Sequence, residues 1–254
     1  MVSRAFGSLP PLNGGPREAA AAEHGRPPKE GMTIVTSPGP VLIAARWRSR
    51  RSAAVAGVLF ALLLITAIVT MRLATEEADL ETLASDEQRR SLIAISLQIV
   101  PFAGIAFLWF IGVVRDQLGQ VEDRLFSTVF LGSGLLFLAT LFQGAVTETS
   151  MLTMLAQGQP DVGVWSFGSN ITEALISIYA MRMAAVFTLS VSSVVVRTRA
   201  IPRWVALLGF AVGILLLVTG GANRWVALAF PGWVLLLSVV ILFTRPPDRT
   251  PAAP

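Results

Sequence analysis

Residues 92–114 read LIAISLQIVPFAGIAFLWFIGVV, an apolar run that contains no charged side chain. As an α-helix rising about 1.5 Å per residue, this run is long enough to cross a hydrocarbon core of about 30 Å. Five more apolar runs share the pattern, and short charged connections separate them. The six predicted spans are residues 53–71, 92–114, 125–146, 171–196, 204–222 and 226–244. The sequence therefore predicts an all-α fold, a polytopic transmembrane bundle of six helices.

The composition favours one membrane domain and leaves no room for a soluble catalytic domain. Of the 254 residues, 54% are apolar and 14% are charged, which is unusual for a soluble protein. We predict a six-span membrane domain over residues 46–245 and a short cytoplasmic tail over residues 246–254. Residues 1–45 are rich in Pro, Gly and Ala without periodicity, so we predict a disordered cytoplasmic tail there. A translation start at Met32 instead of Met1 would remove most of this tail.

The lysines and arginines are distributed unevenly between the connections. The N-terminal tail, the second and fourth connections and the C-terminal tail hold 15 of them, whereas the other three connections hold 4. Positively charged residues are retained on the cytoplasmic side during insertion. Both termini are therefore predicted to be cytoplasmic, which agrees with an even number of spans. The first run is too long for the core of a signal peptide, so we expect it to be an uncleaved span.

The residue types that are missing from the spans exclude several kinds of chemistry. The chain has no cysteine, and its one histidine and one lysine, His24 and Lys29, lie in the N-terminal tail. Thiolate catalysis, a histidine metal or haem site and a Schiff-base lysine are therefore not available within the spans. We predict no catalytic residue, no metal and no cofactor, and hence a protein that is not an enzyme.

The basic balance of the chain has a topological meaning here. A sequence pI of about 10.8 would suggest nucleic acid binding in a soluble protein. In this chain the arginines lie at the predicted edges of a membrane, and no nucleic-acid-binding module accompanies them. We expect the partners to be the lipid bilayer and either another protein or a second copy of the chain, with no nucleic acid.

Arg182 is the one charged residue deep inside a predicted span. It lies about 16 Å along the helix from Ile171, and placing an arginine there costs about 2.5–3.5 kcal/mol on insertion scales. Polar groups on neighbouring helices should compensate this cost, and the candidates are Gln98, Gln143, Glu148, Glu173 and Ser177. Glu173 is nine residues from Arg182, which puts the two on opposite faces of one α-helix.

These polar residues have two interpretations. In the functional one, they form an outward-open pocket in which Arg182 binds an anionic or carbonyl-bearing ligand. In the structural one, they form an interhelical hydrogen-bond network that fixes the packing, and Arg182 extends towards the outer surface. Glu173 also has a local role as the second half of a capping box that Asn170 would open at the start of span four.

Four sequence features predict local structure. Residues 151–155 could form a short surface helix that Gly158 and Pro160 would end. Prolines inside spans two and six should kink or break those helices, and the second of them should either bend its helix or make the first turns a separate element. These prolines are Pro101 and Pro231. Gly209 and Gly213 form a small-xxx-small pair, used for packing within the monomer or for a dimer contact.

Several segments resemble a known group of proteins. They are residues 99–112, 122–124, 130–134, 179–187, 197–199 and 202–204. These segments are similar to those of uncharacterised multi-pass membrane proteins of GC-rich Gram-positive bacteria, and the resemblance covers residues 52–244. It implies a multi-pass protein of the bacterial plasma membrane and carries no activity with it.

The sequence features favour a binding, sensing or accessory interaction protein of the membrane. The rival interpretation is a small-solute or ion transporter or channel that uses the polar site around Arg182. The two differ in one respect that can be examined. A transporter needs water to reach Arg182, whereas an accessory protein needs a partner.

Overall fold

A computed structural model describes residues 40–76, 79–118, 124–158, 161–198, 201–219 and 224–243. Eight α-helices occur within these ranges. They are α1 (Pro40–Thr75), α2 (Leu80–Ser85), α3 (Glu87–Leu118), α4 (Arg124–Ala156), α5 (Val162–Glu173), α6 (Met181–Thr198), α7 (Arg203–Thr219) and α8 (Ala229–Phe243). A π-helical segment, Ala174–Ala180, joins α5 to α6, and a 3-10 helical segment, Arg224–Leu228, precedes α8.

Five stretches of this all-helical fold are long and apolar enough to cross a membrane. They are Ala54–Thr75, Glu87–Arg115, Ser127–Ala156, Val162–Arg197 and Trp225–Phe243. The remaining predicted span, residues 204–222, corresponds to α7, an apolar helix of 17 residues, which at about 25 Å is at the lower limit for a span. Most of the predicted disordered tail lies outside the described residues, and α1 begins at Pro40, ahead of the predicted boundary at residue 46.

The long helices pack side by side into a closed ring. Helix α1 packs against α3 and α8, α4 packs against α3 and α6, and α7 packs against α6 and α8. The connections are short, so helices adjacent in sequence are neighbours in the bundle. Helices α3, α6 and α8 end where α1, α4 and α7 begin. We call this the basic end of the bundle, because Arg115, Arg197 and Arg203 lie exposed there.

Five phenylalanine rings, one from each of five helices, fill the centre of the bundle. We call them the phenylalanine core; they are Phe60 (α1), Phe107 (α3), Phe137 (α4), Phe187 (α6) and Phe230 (α8), all fully buried. The ring centroids of Phe60 and Phe107 are 4.5 Å apart, and those of Phe137 and Phe230 are 5.0 Å apart. Tilted and edge-to-face ring pairs at such distances are favourable beyond the apolar area they bury. Helix α7 contributes no ring to this core and lies outside it, against α6 and α8.

The predicted capping box and the predicted surface helix are both wrong. Helix α4 continues without a break to Ala156, and Met151 within it is buried. Gly158 then turns the chain with φ of 71°, which confirms its predicted role in ending a helix. The next helix begins soon afterwards because the carboxylate of Asp161 accepts a hydrogen bond of 3.0 Å from the N–H of Val164. Asn170 therefore lies inside α5, not at a helix start.

The two prolines within spans behave differently. Helix α3 continues through Pro101, so of the two predicted alternatives, a kink or a break, the break does not occur. Pro231 is the third residue of α8, where its missing N–H would have no acceptor in any case. The preceding residues form the 3-10 segment, so the first turns of this span are a separate element, as one of the two predicted alternatives required.

The end of the bundle opposite the basic end contains arginines that bind the ends of helices. The guanidinium groups of Arg89 and Arg90 donate to carbonyl oxygens in the last turns of α1 and α2 and just beyond. The acceptors are Ala74 and Glu76 for Arg89, and Leu83 and Ala84 for Arg90. Cations are favourable at helix C-termini, which carry unpaired carbonyl groups and a partial negative charge.

Helix α2 is held at its start by the same kind of local interaction. The Asp79 carboxylate accepts a hydrogen bond of 2.8 Å from the Thr82 N–H. Hydrogen bonding by the Thr82 side chain, and then by its backbone, lowers the pKa of Asp79 below its ordinary value. The connection between α1 and α3 is therefore organised by charge at both ends of a six-residue helix.

Candidate functional site

Four of the six predicted polar-site residues lie on the outside of the bundle. Arg182 is the second residue of α6 and is exposed, and Gln98, Gln143 and Glu173 are exposed as well. Glu148 and Ser177 are half-buried. Ser177, in the π-helical segment, donates a hydrogen bond of 3.3 Å to the Glu173 carboxylate one turn before it. The predicted residues thus occupy three neighbouring elements but mostly point outwards.

Glu148 is brought together with a residue that is absent from the predicted polar site. Its carboxylate approaches the hydroxyl of Thr172 on α5. Thr172 is only 8% exposed, and its hydroxyl makes no hydrogen bond of ordinary geometry. Gly168, one turn before Thr172, also faces α4, the helix that contains Glu148. A Cβ built on Gly168 would lie 2.5 Å from the sulfur of Met151 on α4. The spacing of these two small residues by four was the available signal for a face packed on α4.

Two other buried hydroxyls without hydrogen-bond partners, those of Ser192 and Ser238, have a packing explanation. Each faces a glycine on a neighbouring helix. A Cβ built on Gly209 would lie 2.1 Å from the Ser192 hydroxyl, and one built on Gly57 would lie 2.1 Å from the Ser238 hydroxyl. At such separations the glycine Cα–H can contact the oxygen, as happens at close helix–helix interfaces. Thr172 differs because its polar neighbour is a carboxylate.

The π-helical segment aligns α5 and α6 on the same neighbour. Gly168 of α5 contacts α4 through Met151, and Phe187 of α6 contacts α4 at Gly134. In an uninterrupted α-helix, these two residues, 19 apart, would point about 100° away from each other. Each residue of a π-helix turns the chain by about 18° less than an α-helical residue, so seven such residues reduce the difference to about 30°. The segment therefore keeps both halves of a 36-residue helical stretch packed on α4.

Gly209 and Gly213 form the contact between α7 and α6. A Cβ on Gly213 would meet the Leu189 side chain at 2.7 Å and the Ala185 carbonyl oxygen at 3.3 Å. The pair is thus used for packing within the monomer, at a close approach of two helices. The residues of α6 that face α7 at three- and four-residue spacing are Ala185, Leu189 and Ser192.

Arg182 extends this α7-facing stripe of α6 by one more turn and is exposed. Thr219, the last described residue of α7, is six residues beyond Gly213, or about 9 Å along the axis. The described part of α7 therefore reaches the level of Arg182. The guanidinium makes no hydrogen bond or ion pair with any residue in the part of the chain that the structure describes. Tyr179 on the preceding turn is 58% exposed, and Val218 in the last turn of α7 is 77% exposed.

The described residues offer no arrangement typical of a metal centre. Across the ranges from residue 40 to residue 243 that the structure describes, three or more histidine, aspartate or glutamate side chains nowhere converge as ligands would. Comparisons with protein families, with curated proteins and with solved structures find no match to this chain.

Proposed function

We propose that the chain is a six-span protein of the bacterial plasma membrane with both termini in the cytoplasm. Helix α7 completes the six spans in this proposal, and its length of 17 residues suffices where the local bilayer is thin or the helix begins at the interface. Arg115, Arg197 and Arg203 at the basic end support this orientation, since arginine is retained on the cytoplasmic side.

Two arginines at the opposite end do not weaken the proposed orientation. Arg89 and Arg90 are bound to carbonyl oxygens at the ends of α1 and α2. Their guanidinium groups already stabilise these helix ends, and acidic residues outnumber basic ones in the connection between α1 and α3. The end opposite the basic end then faces outwards, and it includes α2 and α5.

Within the membrane, the chain acts as a binding or accessory protein and not as an enzyme. The observation that carries this proposal is the phenylalanine core. Its rings close the centre of the bundle, whereas Arg182, Gln98 and Gln143 lie on the outside. Polar groups on the outer surface of a bundle suit lateral contact with another membrane protein, because such groups are costly in lipid.

Recovery of a partner from native membranes tests this function. The protein is cross-linked in intact cells, solubilised gently and purified, and the retained proteins are identified by mass spectrometry. The accessory function predicts a defined partner that is recovered in a fixed ratio. A monomer free of other proteins under several mild detergents would contradict it.

A small-solute transporter is the second candidate, and one observation favours it. The carboxylate of Glu148 approaches the buried hydroxyl of Thr172, which makes no hydrogen bond of ordinary geometry with a described residue. These two polar groups lie beside the π-helical segment, and π-helical segments are frequent at functional sites. Because the chain has no cysteine, single cysteines can be placed beside Thr172 and beside Arg182 in the wild-type background. Labelling from both sides of the membrane would favour transport, and no reaction from either side would exclude it.

A further inference from the structure

We infer that the face of α6 around Arg182 binds a transmembrane helix of a different protein, and that this helix carries an aspartate or glutamate within the bilayer. The inference rests on the proposed accessory function and specifies the chemistry of the partner. It depends on the depth of Arg182, on its exposure and on its lack of a hydrogen bond or ion pair with any described residue.

Arg182 lies well inside its own helical stretch. It is 15 residues from Arg197 at the basic end and nine residues from Glu173, the last residue of α5, or about 22 Å and about 13 Å along the axis. An arginine side chain spans about half of the shorter distance. The guanidinium therefore lies within the hydrocarbon region wherever the bundle is placed at a reasonable depth.

Arg182 lies next to the part of α6 that α7 covers. The stripe of α6 that contains Ala185, Leu189 and Ser192 packs on α7, and Gly209 and Gly213 allow the close approach. Arg182 occupies the next position on this stripe and is exposed. Tyr179 on the preceding turn and Val218 in α7 are exposed as well.

Charge complementarity determines which kind of helix can pack beside Arg182. An arginine in hydrocarbon is stable only when it is paired or hydrated. A carboxylate pairs with guanidinium through two parallel hydrogen bonds, and such pairs are strongest where water is excluded. A helix with one acidic residue at the depth of Arg182 satisfies both partners, while its apolar residues pack against the exposed side chains of α7.

A second copy of the chain does not supply this carboxylate. All copies insert with the same orientation, so a contact between two copies places Arg182 at the depth of its own equivalent. The nearest acidic residue along the same helix is Glu173, about 13 Å away in depth. An anionic lipid headgroup is likewise too far out, because its phosphate lies at the membrane surface.

Model transmembrane peptides test the inference even while the natural partner is unidentified. The probe is a fluorescent peptide of about 20 leucine and alanine residues with one central glutamate; its matched controls carry leucine or glutamine at that position. The acceptor dye is attached to Val196→Cys in the otherwise cysteine-free chain, and energy transfer is measured in zwitterionic vesicles. We expect the glutamate peptide to bind wild-type protein about tenfold or more tightly than the leucine peptide, a difference of about 1.4 kcal/mol.

Variants of the chain assign the binding to this face. Arg182→Leu should abolish the preference for glutamate, and Arg182→Lys should retain part of it, since lysine keeps the charge but not the paired geometry. Arg197→Leu removes the same charge from the basic end of the same helix and should leave the preference unchanged. Thermal unfolding of Arg182→Leu should be unchanged or improved, because no hydrogen bond or ion pair with a described residue is lost.

Four outcomes would overturn the inference. They are equal binding of the glutamate and leucine peptides, undiminished binding by a folded Arg182→Leu protein, an equal loss in Arg197→Leu, and complete competition by phosphatidylglycerol in the vesicles, which would assign the face to lipid. These results differ from a failure of the accessory function. That function fails if the wild-type chain has no cellular partner, whereas the inference fails if a recovered partner is retained equally by Arg182→Leu.

Discussion

Single glycines set the distances between helices in this bundle. Gly57 and Gly209 each receive a serine hydroxyl from a neighbouring helix, and neither hydroxyl has a hydrogen-bond partner in the part of the chain that the structure describes. Other glycines have no such constraint, since a Cβ at Gly112 or Gly132 would meet nothing within 4 Å. Residues of the same type in the same kind of helix therefore differ in their tolerance of substitution. The difference depends only on what lies opposite them.

Gly209→Ala should destabilise the protein by about 1–3 kcal/mol, because overpacking forces neighbours to move. The new methyl group would overlap the Ser192 hydroxyl and also lie 2.8 Å from the Trp233 ring. Gly132→Ala is the matched control, and it should be neutral or stabilising by about 0.5–1 kcal/mol because alanine favours a helix over glycine. Unfolding in detergent, followed by tryptophan fluorescence, measures both. Equal effects of the two substitutions would contradict the close packing at Gly209.

At the scale of elements, the stretch α5–π–α6 shows how one irregular segment joins two regular ones. Both halves pack on α4, and the seven π-helical residues provide the change of phase that this requires. Helix α7 shows the opposite case, a regular helix that packs on α6 through Gly209 and Gly213. Arg182 lies one turn beyond the residues of α6 in this contact and is exposed.

Deletion of one residue from the π-helical segment should be tolerated. Without Tyr179, Gly168 and Phe187 would be 18 residues apart, which corresponds to five full α-helical turns and keeps both on α4. We expect a change in unfolding free energy within about 1 kcal/mol. Deletion of Leu136, which is similarly exposed but lies in the uninterrupted helix α4, should cost about 3 kcal/mol or more, because it rotates Phe137 out of the core.

The same fluorescence-detected unfolding in detergent compares the two deletions. If the deletion of Tyr179 proves as damaging as that of Leu136, the π-helical segment does not serve to align α5 with α6. A tolerated deletion of Leu136 would instead show that the phenylalanine core does not depend on the register of α4.

At the scale of the whole molecule, six long helices pack side by side in a closed bundle. Five of them contribute one side chain each to the phenylalanine core, and charged residues are concentrated at the two ends of the bundle. Five of the helical stretches are long and apolar enough to cross a membrane. The location of the C-terminus therefore depends on whether α7 crosses as well. A chain with six spans has both termini on one side, and a chain with five has them on opposite sides.

Single-cysteine labelling of intact cells distinguishes these topologies. With six spans, Gln157→Cys between α4 and α5 should react with a membrane-impermeant maleimide. Pro202→Cys and Ala253→Cys should react only after permeabilisation, because they lie on the cytoplasmic side. A cysteine added at the N-terminus is the control, because it reports on which side of the membrane that terminus lies. Reaction of Ala253→Cys in intact cells would show that α7 does not cross and that the chain has five spans.

Some of this organisation can be predicted from the sequence because it depends on composition and spacing alone. The long apolar runs predict helices of membrane-spanning length, Gly158 predicts a helix end, and Pro231 predicts an interrupted helix start. Each of these follows from backbone geometry or from the cost of exposing polar groups to lipid. The polar residues of the candidate site could also be identified individually, since charge inside an apolar run is conspicuous.

The relations between helices were decided only by the tertiary structure. Apolar periodicity is weak in a helix that is apolar on every side, so it does not show which face meets another helix. The phenylalanine core and the phase change of the π-helical segment therefore had no readable signal in the chain. The spacing of Gly168 and Thr172 indicated a packed face but not that Glu148 would lie opposite it. The exposure of Arg182 likewise follows only from packing in three dimensions, because a charge inside an apolar run does not show whether a neighbouring helix covers it.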